Sequence, residues 1–176
     1  MARRKNHHRQ KRNTSLKISM DTDEKTVYIC GALTELPPEE QESVKKFYSK
    51  LGDLCGEVTG KRAFVPHEHY DPIRHANFTP ADVDKAERDQ VCNHTSLVLV
   101  ATFTPSWGGG IEVEMAYRSN VPVIVLCERS KLEQRKISRL LRGNPAVISV
   151  ISYDTEEEVV EKLRKELKTY TEASLC

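Results

Sequence analysis

Ser96-Leu97-Val98-Leu99-Val100-Ala101 decides how the rest of the chain is read. The run is almost wholly apolar, too short for a core helix and rich in valine, which marks a strand buried on both faces. Such strands belong to parallel sheets whose crossovers are helices. Upstream, Thr79-Pro80-Ala81-Asp82 supplies an N-cap and then proline at the first helical position, so a helix is expected from there to about His94. Before it, Arg62-Ala63-Phe64-Val65-Pro66 reads as a strand, and residues 67–79 as a loop carrying His67, His69, Tyr70, Asp71, Arg74 and His75. Pro38, with Glu39, Glu40 and Glu42 at the positive end of the dipole, opens a helix whose apolar face is Val44, Phe47, Tyr48 and Leu51. The first strand is Thr26-Val27-Tyr28-Ile29-Cys30, ended by Gly31.

Downstream, a loop spans residues 102–110 and a helix runs from about Gly110 to Ser119. Pro122-Val123-Ile124-Val125-Leu126 is the fourth strand, followed by a helix over Lys131 to Leu141. A fifth strand is expected over Ala146 to Ile151 and an amphipathic helix over Thr155 to Tyr170. The alternation predicts a flavodoxin- or Rossmann-like α/β domain over residues 25–172: five parallel strands in the order 2-1-3-4-5, with helices on both faces. Ligands of such sheets sit beyond the carboxyl ends of the strands, where strand order reverses. That places Cys30-Gly31-Ala32 opposite Pro105 to Glu112.

Bulk properties narrow the function classes. The chain has 176 residues, 38% hydrophobic and 30% charged, enough for one domain with a full core. No apolar run approaches the ~18 residues of a membrane span, and no secretory signal is visible, so a cytoplasmic protein is expected. Cys30, Cys55, Cys92, Cys127 and Cys176 are scattered singly, which is a poor framework for disulfides or zinc. His67-Glu68-His69 offers two histidines on one side of an extended segment but no third ligand, so neither metal nor other cofactor is expected. The net charge of +1 hides an asymmetry: Arg3, Arg4, Lys5, Arg9, Lys11, Arg12 and Lys17 precede the first acid, Asp21. Residues 1–24 are expected to form a solvated, disordered arm. Its lack of aromatic residues weighs against nucleic-acid binding, and nuclear import is the alternative use of such a run.

The chemistry is concentrated in Pro105-Ser106-Trp107-Gly108-Gly109-Gly110-Ile111-Glu112-Val113-Glu114-Met115-Ala116. Three glycines between strand and helix permit positive φ and close approach of a ligand to the backbone. The first amides of the helix are free donors for a phosphate, and Ser106 adds a hydroxyl. Glu112 falls in the first helical turn at the strand ends. Spacing alone supports no more than a phosphate-cradling α/β domain, because acids favour helix N-termini for dipole reasons.

This stretch, followed by Val121-Pro122-Val123-Ile124, resembles the nucleoside 2-deoxyribosyltransferase superfamily. Within it, the turn from Pro105 to Glu112 and the strand Tyr28-Ile29-Cys30-Gly31 are similar to those of the 2-deoxynucleoside 5'-phosphate N-hydrolases. The resemblance covers roughly residues 26–127. It implies that Glu112 is a nucleophile attacking the anomeric carbon of a nucleoside or nucleotide. Ser106, Gly108, Gly109 and Gly110 would form the phosphate cradle, with Cys30, Gly31 and His69 also lining the substrate. Tyr28 would hold the nucleophile, and Asp89 would contact the sugar or help the base leave. It further implies a homodimer with sites near the subunit contact. Two departures stand out: Thr95-Ser96-Leu97 lies where many members carry Asp, and Glu114 where Gly is usual. Deoxyribosyl transfer between bases and nucleotide binding without turnover are the alternative readings. A cytokinin-activating phosphoribohydrolase fits less well, because its double-glycine signature is absent.

Overall fold

The computed structural model describes residues 25–34, 36–71 and 73–174, so the expected basic arm lies outside the described residues. The strands are β1 (Thr26–Gly31), β2 (Thr95–Ala101), β3 (Val123–Glu128) and β4 (Val147–Tyr153). All pairings are parallel, in the order β1-β2-β3-β4. The helices are α1 (Pro38–Thr59), α2 (Pro66–Tyr70), α3 (Pro80–Asn93), α4 (Trp107–Arg118), α5 (Arg129–Glu133), α6 (Arg139–Arg142) and α7 (Glu156–Ser174).

The two-residue period of the strands sorts the core into two layers. Val27, Ile29, Leu97, Leu99, Ile124 and Leu126 face α1 and α7, and pack with Leu51, Leu54, Leu163 and Leu167. Tyr28, Cys30, Val98, Val100, Val123 and Val125 face the other way, onto Val91 of α3 and Val113, Met115 and Ala116 of α4. Leu97, Val98 and Leu99 have no exposed surface. Burial of each such side chain stabilises the fold by about 1.5–3 kcal/mol, which conformational entropy opposes. Gly60 ends α1 with φ +81°, the left-handed conformation that glycine adopts at least cost, and its N–H caps Gly56 O.

Two expectations are corrected. The sheet among the described residues has four strands, not five. The segment expected as strand two contributes one bridge, in which Phe64 N donates to Val27 O (2.7 Å) and Ile29 N donates to Phe64 O (2.9 Å). Competing interactions on both sides stop the ladder there. Ala63 N donates to Gly52 O in α1, and Pro66, which lacks an N–H, starts α2 at once. The single helix expected over 131–141 is two short ones, because Arg135 adopts φ +57° after α5 and Ser138 caps α6 by accepting from Leu141 N.

Candidate active site

At the carboxyl end of β1 a cavity of about 550 Å³ opens between α3, α4 and residues 66–71 and 73–78. That volume is within the usual range for small-molecule sites. Gly31 forms part of its floor, Ser106, Gly108, Gly109 and Glu112 one wall, and Val83, Asp84 and Glu87 the facing wall. Gly31 is required by a close approach. A Cβ there would lie 2.2 Å from the hydroxyl of Tyr48, which donates to Ala32 O at 2.8 Å.

Glu112 is only 8% exposed. Tyr28 Oη donates to its Oε1 at 2.9 Å, linking the first strand to α4. Burial raises the Glu112 pKa above the usual carboxylate range, opposed by hydrogen bonding from Cys30 and Tyr28. Burial and the nearby Glu112 push both the Tyr28 phenol and the Cys30 thiol well up, so each keeps its proton and acts as a donor. Cys30 Sγ also lies 3.8 Å from Gly109 O. Neither Tyr28 nor Cys30 lines the cavity; both support Glu112 from behind.

The glycines work differently from the sequence expectation. Gly108, Gly109 and Gly110 lie inside the first turn of α4, and the only glycine with positive φ among the described residues is Gly60. The missing side chain matters at Gly109, where a Cβ would come 3.2 Å from Cys30 Sγ. The helix can therefore press against β1 closely enough for Glu112, one turn on, to reach Tyr28. Ser106 is the N-cap, its Oγ accepting from Gly109 N at 3.1 Å. Gly110 does not line the cavity.

Two further expected residues lie away from both the cavity and Glu112. Asp89 lies on the exposed side of α3, accepting from Asn93 Nδ2 at 2.7 Å and facing His94 at 3.5 Å. His69 stacks on Phe64 with ring centroids 4.4 Å apart, in a separate groove with Arg62 and His94. His67 lines the cavity instead, with a buried Nδ1 that has no partner; burial lowers its pKa.

Sequence reasoning missed Glu87. Burial, the neighbouring Glu112 and Asp84 raise its pKa to about 7. The signal was present, since Val83, Glu87 and Val91 recur at i, i+4 and i+8 on the inward stripe of α3. Both departures from the motif lie away from the chemistry. Thr95 is at the amino end of β2, donating to Gln90 O at 2.9 Å, and Glu114 accepts from Arg118 Nε at 2.9 Å on the outer side of α4. Among the described residues no cluster suited to a metal ion occurs, and no helix is long and apolar enough to cross a membrane.

No family model and no curated protein matches this sequence. Solved structures do resemble it. The CMP N-glycosidase BcmB of Clostridium botulinum has 23% identity and a TM-score of 0.57, over 81% of this chain and 99% of that one. BlsM, known from a solution structure, has 17% identity and a TM-score of 0.58, over 82% and 90% of the two chains. A conserved protein from Enterococcus faecalis V583 has 16% identity and a TM-score of 0.53, over 81% and 98%. At these identities the likeness establishes a shared α/β fold.

Proposed function

We propose that the protein hydrolyses the N-glycosidic bond of a nucleoside 5'-monophosphate, with Glu112 as nucleophile. The observation that carries this is a buried carboxylate held by Tyr28 at the wall of a nucleotide-sized cavity, faced by a second carboxylate, Glu87, whose pKa is about 7. Two carboxyl groups facing one cavity, one to attack and one to protonate the leaving base, are what retaining glycosidic chemistry needs. The resemblance to the nucleoside 2-deoxyribosyltransferase superfamily and the fold shared with a CMP N-glycosidase support the same reading.

In the proposed reaction, an oxygen of ionised Glu112 bonds to the anomeric carbon as the bond from that carbon to the base nitrogen breaks. Glu87, rather than Asp89, gives its proton to the departing base, because it lines the cavity and retains a proton near neutrality. Water then attacks the glycosyl ester, Glu87 takes up the water proton, and sugar 5'-phosphate leaves with Glu112 restored. The hydroxyl proton of Ser106 and the N-terminal amides of α4 are suited to the phosphate oxygens. A homodimer is part of the proposal: Trp107 and Ile111, one turn apart on α4, are 86% and 53% exposed, an apolar face suited to a second copy beside the cavity that Ile111 lines.

The test is base release from ribo- and deoxyribonucleoside 5'-monophosphates, CMP among them, alongside the unphosphorylated nucleosides. Release from a monophosphate that is lost in Glu112→Gln supports the hydrolase. Turnover only when an acceptor base is added supports a transferase. Nucleotide binding with no turnover in either assay refutes the catalytic reading.

A further inference from the structure

The wall formed by residues 73–78 contributes His75, Ala76 and Phe78 to the cavity. It is secured at both ends. At its carboxyl end Thr79 and Asp82 form a capping box at the start of α3, with Thr79 N donating to Asp82 Oδ2 at 3.0 Å. At its amino end stands Asp71, 1% exposed. Asp71 Oδ1 accepts from Ile73 N at 2.9 Å and Arg74 N at 3.0 Å, and its carbonyl accepts from His75 N at 2.8 Å. Phe78 N then donates to His75 O at 3.0 Å. The conformation of the amino-terminal half of the wall therefore depends on one buried carboxylate. Its cationic partner is Lys45 of α1, whose Nζ lies 2.8 Å from Asp71 Oδ2 and 3.2 Å from the exposed Glu42. Lys45 is itself nearly buried, at 8% exposure, an unusual place for a lysine unless it is paired.

We propose that the Lys45–Asp71 ion pair is a positioning pair: it fixes the His75–Phe78 wall and so sets how tightly the cavity holds its nucleotide. The consequence for affinity rests on the nucleotide reading above; the positioning itself does not. The side chains involved lie away from the reacting atoms. Phe78 packs edge-on to Tyr70, with centroids 5.8 Å apart and planes at 85°, and Tyr70 also lines the cavity. Loss of the pair would loosen an aromatic wall that contacts substrate and transition state alike, which changes KM rather than kcat. The pair is also silent in the neutral pH range. Burial alone would raise the Asp71 pKa, but Lys45 and the two amides outweigh it and hold it at about 2, while Asp71 raises that of Lys45. Glu87 titrates near neutrality, so the pH profile separates its action from that of the pair.

The experiment compares Lys45→Met, Asp71→Asn and the double variant with wild type in the full chain. It reads amide hydrogen exchange at Ile73 and Arg74, CMP affinity by calorimetry, and kinetics on CMP. In Lys45→Met, exchange at these two amides should accelerate by roughly tenfold or more while core amides of α1 and α7 keep their protection. CMP affinity should weaken and KM rise about tenfold, with kcat and its pH profile unchanged to within about twofold. The double variant should recover much of the affinity, because the asparagine introduced by Asp71→Asn keeps an acceptor for the two amides without a buried charge. Unchanged exchange overturns the proposal, as does faster exchange with unaltered affinity, or a fall in kcat at constant KM. If wild type binds no CMP, the nucleotide reading loses its support from this ligand, and exchange at Ile73 and Arg74 alone then upholds or overturns the positioning role.

Discussion

On the α1/α7 side of the sheet, β1 contributes Val27 and Ile29 to a layer made almost wholly of hydrocarbon. On the α3/α4 side the same strand contributes Tyr28 and Cys30, whose polar tips support Glu112 across from Glu87. One layer contains little that can ionise in the neutral range, whereas the other carries two carboxylates with raised pKa. The contrast teaches that the buried carboxylates, which cost stability, are confined to one face, while the other supplies almost uninterrupted apolar burial.

The largest effect that tests this division is loss of turnover in Glu112→Gln, expected to be on the order of 10³-fold or more because the proposed nucleophile is removed. Its gain in melting temperature over wild type should grow with rising pH, because burial raises the pKa of the native carboxylate and makes its ionised form costly. The converse substitution is Leu163→Ala in the opposite layer. It should cost about 2–5 kcal/mol in denaturant unfolding while turnover per folded molecule is unchanged. A drop in turnover at full folding would break the division. Glu87→Gln should lower turnover by roughly 10²-fold and flatten the limb of the pH profile near 7. Its stability has a definite sign. The folded pKa is raised from 4.5 to about 7, so the native contribution is complete below the unfolded value and is lost as pH rises through 7. Glu87→Gln should therefore raise the melting temperature at about pH 8 and leave it unchanged at about pH 4. The smallest effect is expected of Asp89→Asn, whose turnover should stay within about twofold of wild type, since Asp89 faces solvent. A larger loss would return the proton-donor role to Asp89.

Several of these features were legible in the sequence. The apolar runs of β1, β2 and β3 marked strands, that of β2 as buried on both faces, and the proline and acid at the start of α1 and the cap at Thr79 marked helix starts. The turn from Ser106 to Glu112 was readable as a candidate site and does line the cavity, but the local reason differs from the expected one. Its glycines are helical, and Gly109 supplies room against Cys30, a contact with a residue far away in sequence. Glu87 was overlooked because Asp89, two residues on, fitted the family motif better, although helical spacing turns it outward. The strand expected at 62–66 failed for a tertiary reason: Gly52 O in α1 captures the amide of Ala63. The Lys45–Asp71 pair had no sequence signal, since it joins a helix to a segment whose path only the folded chain defines.

Tyr28 and Glu112 are separated by 84 residues. Closing a loop of that length costs about 4 kcal/mol in chain entropy, so their hydrogen bond cannot form early by itself. It waits until β1 has zipped alongside β2 and α4 has docked on both. Recovery of the proposed turnover during refolding should therefore lag behind helix formation and coincide with assembly of the sheet, making that activity a late clock for folding.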